Sequence, residues 1–122
     1  MPDYSRVMFI RHKGKEILQL DFSKCKYEEF LVEVEKARGI VTEQAPKSLL
    51  ILKIVQDFNF NKEITRSMKE FATHNLPFVK AAAVVGVTGL KKIIYDAIER
   101  LTGSEFRYFN DVDTAKDWLA EQ

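Results

Sequence analysis

The chain has 122 residues, of which 46% are hydrophobic and 30% charged, and its 19 basic and 18 acidic side chains give a formal net charge of +1. That length suits one domain, spanning 1–122, which buries its own core without disulfides or metals to hold it. The even charge balance excludes a composition-driven attraction to nucleic acid or to an anionic membrane surface, and no run approaches the ~18 consecutive apolar residues of a membrane span.

At the N-terminus, Met1-Pro2-Asp3-Tyr4-Ser5-Arg6 has no apolar stretch of the signal-peptide kind. Two strands are predicted next, over residues 7–12 and 16–22, with the alternation of Ile17, Gln19 and Asp21 against Leu18, Leu20 and Phe22 marking a buried face. Lys13-Gly14-Lys15 between them is short and glycine-containing, which predicts a tight antiparallel hairpin. Cys25 is the sole cysteine. It has no partner for a disulfide and no second thiol for a zinc site, and this usage fits a reducing compartment. The expected location is therefore cytoplasmic.

Tyr27, Phe30, Leu31, Val34, Ala37 and Val41 form one apolar stripe at helical spacing, with Glu28 and Glu29 in the first turn, where the helix dipole favours acid. Ala45-Pro46-Lys47 ends that helix. Leu49 to Val55 is apolar except for Lys53 and too short for a core helix, so it predicts a strand covered on both faces. Asn61 is placed to cap a second helix whose buried stripe is Ile64, Met68, Phe71 and Ala72, and Asn75-Leu76-Pro77 stops it. Phe78 to Val87 is a further apolar run, in which Ala81-Ala82-Ala83 lets a helix approach the sheet closely. Thr88 and Gly89 open a third helix carrying Leu90, Ile93, Ile94, Ala97, Ile98 and Leu101, with Gly103 as its C-cap. A short strand follows over residues 105–109, with Phe106 and Tyr108 facing opposite Arg107 and Phe109. Asp111 then caps a last helix containing Val112, Ala115, Trp118 and Leu119.

The order is ββαβαβαβα. Strict alternation after an opening hairpin predicts an α/β fold with a five-stranded, mixed but mainly parallel sheet and four helices on its faces. Over nearly the whole chain this pattern resembles the STAS fold, and more narrowly the SpoIIAA-like, or STAS/SEC14-type, bacterial domains. The residues that carry the resemblance are Asn61-Lys62-Glu63, Lys69-Glu70-Phe71-Ala72, His74 to Ala81, Ala83-Val84-Val85-Gly86, Gly89-Leu90, Arg100-Leu101-Thr102-Gly103 and Ala115 to Leu119. The resemblance implies a non-enzymatic module of the kind found among anti-sigma-factor antagonists. Phospho-switched members carry an Asp-Ser-Ser-Gly-like segment after the third strand. The corresponding stretch here is Asp57-Phe58-Asn59-Phe60-Asn61, without the serine, and Thr65 and Ser67 come about a turn later.

Two candidate sites follow. The loop Asp57, Phe58, Asn59, Phe60, Asn61 leaves the carboxyl end of a strand, where α/β sheets meet partners, and offers an aromatic for contact unless both rings pack beneath it. The junction Gly86, Thr88, Gly89, Lys91 presents free backbone N–H groups at a helix start, and Lys91 and Lys92 there would welcome a phosphate or carboxylate. It lacks the spacing of a P-loop. The plain alternative is a Thr88 cap with solvated lysines.

Lys53, alone in its apolar run, reads either as an interior functional amine with a shifted pKa or, as is expected, as a lysine near a strand end that reaches outward. Cys25 stands between Lys24 and Lys26, a setting that lowers a thiol pKa, but it has no resolving cysteine. His12 and His74 show no metal-ligand spacing, and Trp118 reads as the anchor of the last helix. No residue is assigned a catalytic or metal-binding role, and no cofactor is expected. The expected function is a signalling or regulatory module that binds a protein. The alternative is a carrier or sensor of a small apolar or anionic ligand, as kinship with SEC14-type domains suggests. A homodimer is left open.

Overall fold

The computed structural model describes residues 5–122. The reading of Met1 to Tyr4 concerns residues outside that range. The elements are β1 (Val7–His12), β2 (Lys15–Asp21), α1 (Tyr27–Thr42), β3 (Leu49–Ile54), α2 (Lys62–Asn75), β4 (Val79–Val85), α3 (Leu90–Thr102), β5 (Arg107–Phe109) and α4 (Val112–Ala120). The predicted order and element types are all present.

The strands lie side by side in chain order, β1-β2-β3-β4-β5. β1 and β2 are antiparallel, and every later pair is parallel. All six residues of β3, the central strand, are buried, Lys53 with its apolar neighbours. Strands added in one direction by crossovers of one hand place their helices on one face. α1, α2 and α3 accordingly share a core with Leu18, Leu20, Phe22, Ile51, Ala82 and Val84. Among the described elements α4 covers the other face, where Ala115 and Leu119 meet Ile17, Leu52, Ala83 and Val85. The alanine run thus divides between the layers. Ala83 brings β4 against α4, whereas Ala82 faces the three-helix side.

Two helices depart from their predicted stripes. In α1, Leu31 is exposed, while Phe30, Val34, Ala37 and Val41 are buried. In α3 the buried residues are Tyr95 and Ile98, and Leu90, Ile93 and Leu101 remain 66–71% exposed. The helix is rotated so that the large Tyr95 ring enters the core in place of the aliphatic edge. Gly103 caps α3 in the left-handed region at φ 78°, as predicted.

Candidate functional site

Lys53, Asn75 and Ser104 are buried polar residues, and all three line one cavity of about 310 Å³. The cavity lies between β3 and β4, the last turn of α2, and the loop joining α3 to β5. Small side chains leave the space open: Ala82, level with Ile51 in the parallel register, and Ala72 on α2. The covering loop is pinned on both sides. Thr102 Oγ1 and Ser104 Oγ are hydrogen-bonded at 2.8 Å, and the Phe106 N–H donates to Glu99 Oε2 at 3.0 Å. Asn75 Oδ1 lies 2.9 Å from His74 Nδ1, which fixes the side-chain amide at the end of α2. Lys47, Lys80 and Glu105 are exposed at the cavity's edge.

Lys53 stands level with Leu20 on one side and Val84 on the other, so both flanking strands close over its stem. It is only 4% exposed. The expectation that it reaches outward is therefore corrected. Although Lys53 is the penultimate residue of β3, Met68 and Phe71 of α2 and Tyr95 of α3 cover its side chain, so the ammonium is held out of bulk water. Its Nζ lies 3.9 Å from Met68 Sδ and 5.3–5.5 Å from the ring centroids of Phe71, Tyr95 and Phe106. These aromatic faces give the ammonium partial compensation. No carboxylate forms an ion pair with it among the described residues. Burial pulls its pKa down from 10.5 to about 8. Beside it, the buried Tyr95 hydroxyl has no hydrogen-bond partner, and desolvation raises that phenol's pKa above its ordinary value.

The two sites predicted from the sequence are brought together elsewhere, at the carboxyl ends of β3 and β4. Cavity residues Lys47, Val79 and Lys80 precede or begin those strands, so the cavity edge lies toward their opposite ends. In the loop, Phe58 is 1% exposed and stacks among Phe22, Phe30 and Phe60 at 5.3–5.9 Å. It is a core residue, packed beneath the loop as the plain alternative for this segment has it. Phe60 is half-buried and reaches toward Tyr95. Asp57 and Asn59 are exposed, and Asn61 Oδ1 accepts from the Ile64 N–H at 2.8 Å, the predicted cap of α2.

At the second junction, Gly86 at φ 95° presses against Gln56, and a Cβ there would stand 2.7 Å from the Gln56 backbone nitrogen. Only glycine fits. Thr88 does not cap α3. The N-cap is Gly89, without a side-chain bond. Lys91 Nζ donates to the Val55 carbonyl at 2.6 Å, and Lys92 pairs with Asp96 and lies over the Tyr108 ring. Both lysines of the first turn are thus engaged within the fold rather than left to an anion.

Cys25 is partly buried, and desolvation raises its pKa, with Glu29, Glu33 and Asp21 acting in the same direction against Arg6. The neighbouring lysines do not activate it. His12 Nε2 lies 2.7 Å from Asp117 Oδ1 and ties the hairpin to α4. His74 lies 3.0 Å from Thr42 Oγ1 and beside Phe78. Trp118 packs on Phe109, with the Arg107 guanidinium over its ring. Among the described residues, no group of three or more His, Cys, Asp or Glu could hold a metal ion, and no helix is long and apolar enough to cross a membrane.

The sequence reading singled out Lys53 but missed Asn75 and Ser104. The available signals were the lone cation in an apolar run and the alanines of β4, too small to fill the space beneath α2.

A model of the SpoIIAA-like family matches residues 17–120. Among solved structures, the fold is similar to the crystal structure of an uncharacterized protein from the DUF3478 family with a SpoIIAA-like fold, from Shewanella loihica PV-4. The TM-score is 0.68 at 15% identity, over 93% of this chain and 91% of that one. No curated protein matches the chain.

Proposed function

The chain belongs to the SpoIIAA-like family, and from that premise we propose that it is a non-enzymatic binding protein whose cavity holds a small, largely apolar molecule. The observation that carries this reading is the cavity itself. At about 310 Å³ it lies at the small end of the range for ligand pockets, and it combines apolar walls with a few buried polar groups, the usual composition of such sites. The groups that would perform chemistry are dispersed: Cys25 lies before α1, His12 in the hairpin and His74 at the end of α2. Native mass spectrometry of the purified protein is expected to show one small molecule per chain, either retained through purification or added. Replacing Ala82 by leucine, which projects into the cavity, is expected to abolish that adduct. An Ala82→Leu variant that binds as wild type does would place the ligand elsewhere.

A second reading, a module that binds another protein, is favoured by the exposed Leu90, Ile93 and Leu101 on α3. It would place the contact on that helix rather than on the Asp57–Asn61 loop. A purified partner that binds Ile93→Glu as tightly as wild type would end this reading.

A further inference from the structure

We propose that the cavity's occupant carries a single carboxylate that pairs with Lys53 Nζ, so that the ligand class is a small monocarboxylic acid with an apolar body. This inference rests on the cavity being the binding site. Among the described residues Lys53 has no carboxylate partner; its Nζ lies against Met68, Phe71, Tyr95 and Phe106, and the residue lines the cavity. A buried charge is tolerated when it is paired and hydrogen-bonded. Among the described residues the fold supplies π faces and a sulfur, but no anion. A carboxylate entering the cavity would give the ammonium a charge-assisted hydrogen bond in a site of low dielectric.

The charge count selects the headgroup. One cation is buried at the cavity, and the other buried polar residues that line it, Asn75 and Ser104, are neutral. A phosphate monoester, at about −1.5 to −2 charge, would bring more negative charge than Lys53 balances. The ammoniums of Lys47 and Lys80 keep their charge, but they stand at the exposed edge, where water and salt screen it. Lys47 Nζ is bonded to the Leu76 carbonyl at 3.0 Å and Lys80 Nζ to the Gln122 carbonyl at 2.7 Å, both in exposed positions. Glu105 at the edge opposes a second negative group, and Lys53 opposes an amine. The walls formed by Ile51, Ala72, Ala82 and Val84 suit a hydrocarbon or aromatic body.

The test uses octanoate and 1-octanol, probes that share a chain and differ in the headgroup. Both are titrated calorimetrically at pH 7 into wild type, Lys53→Met and Ala82→Leu. Wild type is expected to bind octanoate at least tenfold more tightly than octanol. Lys53→Met is expected to lose octanoate affinity tenfold or more and to keep octanol, which also shows that its cavity is intact. Ala82→Leu is expected to lose both. Equal binding of the two probes by wild type, or octanoate binding unchanged in Lys53→Met, would overturn the carboxylate assignment and leave the cavity reading standing. Binding of neither probe by wild type would overturn both.

Discussion

Phe58→Ala is expected to lower the unfolding free energy by about 4 kcal/mol, the usual cost of emptying a buried phenylalanine site. The ring joins separate parts of the chain. It lies 5.9 Å from Phe22 after β2, 5.3 Å from Phe30 in α1 and 5.4 Å from Phe60 in its own loop. Its removal takes contacts from the seam between the sheet and the first helix. Total stabilities of such domains are about 5–15 kcal/mol, so the variant is expected to stand near the limit of folding. Urea titration followed by circular dichroism measures the loss, and a change below about 1 kcal/mol would show that the site does not depend on this ring. The result governs how the loop can be probed. A binding defect in Phe58→Ala would report a weakened core, whereas substitution of the exposed Asn59 leaves the core intact.

The second large effect is a stability that rises with pH into the alkaline range. Lys53 has a folded pKa of about 8 against the ordinary 10.5. Below pH 8 it is charged in both states, and the full burial penalty, about 3 kcal/mol, weighs on the folded chain. Between pH 8 and 10.5 the unfolded chain holds more protons than the folded one, so stability increases with pH. A gain of about 2 kcal/mol is expected between pH 7 and 9.5. Other groups then reverse the trend. Burial raises the pKa values of Tyr95 and Tyr108, so their unfolded forms release protons first and stability falls as pH rises through the tyrosine range. Cys25, also raised by partial burial, begins that fall slightly earlier. The profile is therefore expected to peak near pH 9.5. In Lys53→Met the rise disappears, and at pH 7 the variant is expected to be more stable than wild type. Urea midpoints at pH 7 and 9.5 measure both effects. A rise that persists in the methionine variant would assign it to a different group.

The sequence by itself determined the elements, their order and most of the residues that pack. Periodicity of two in β2, the apolar run of β3 around Lys53 and the Asn61 and Asp111 caps are local signals, and each corresponds to its place in the fold. The strand-helix alternation carried the sheet as well, because parallel neighbours joined by single helices leave few arrangements open.

What the tertiary structure alone decided is which side of each element meets which neighbour. The aliphatic edge of α3 has a convincing helical spacing, yet Tyr95 occupies the core, and the choice depends on the aromatic chain Phe58, Phe60, Tyr95 and Phe106 that the helix meets. Lys53 shows the same limit most clearly. Its position in the run was visible, but snorkelling or burial depends on whether strands flank it and helices cover it. Asn75 and Ser104 are distant from it in sequence and join it only because the end of α2 and the α3–β5 loop converge on β4. A cavity is the volume that side chains from separate segments fail to fill, so no single segment encodes it.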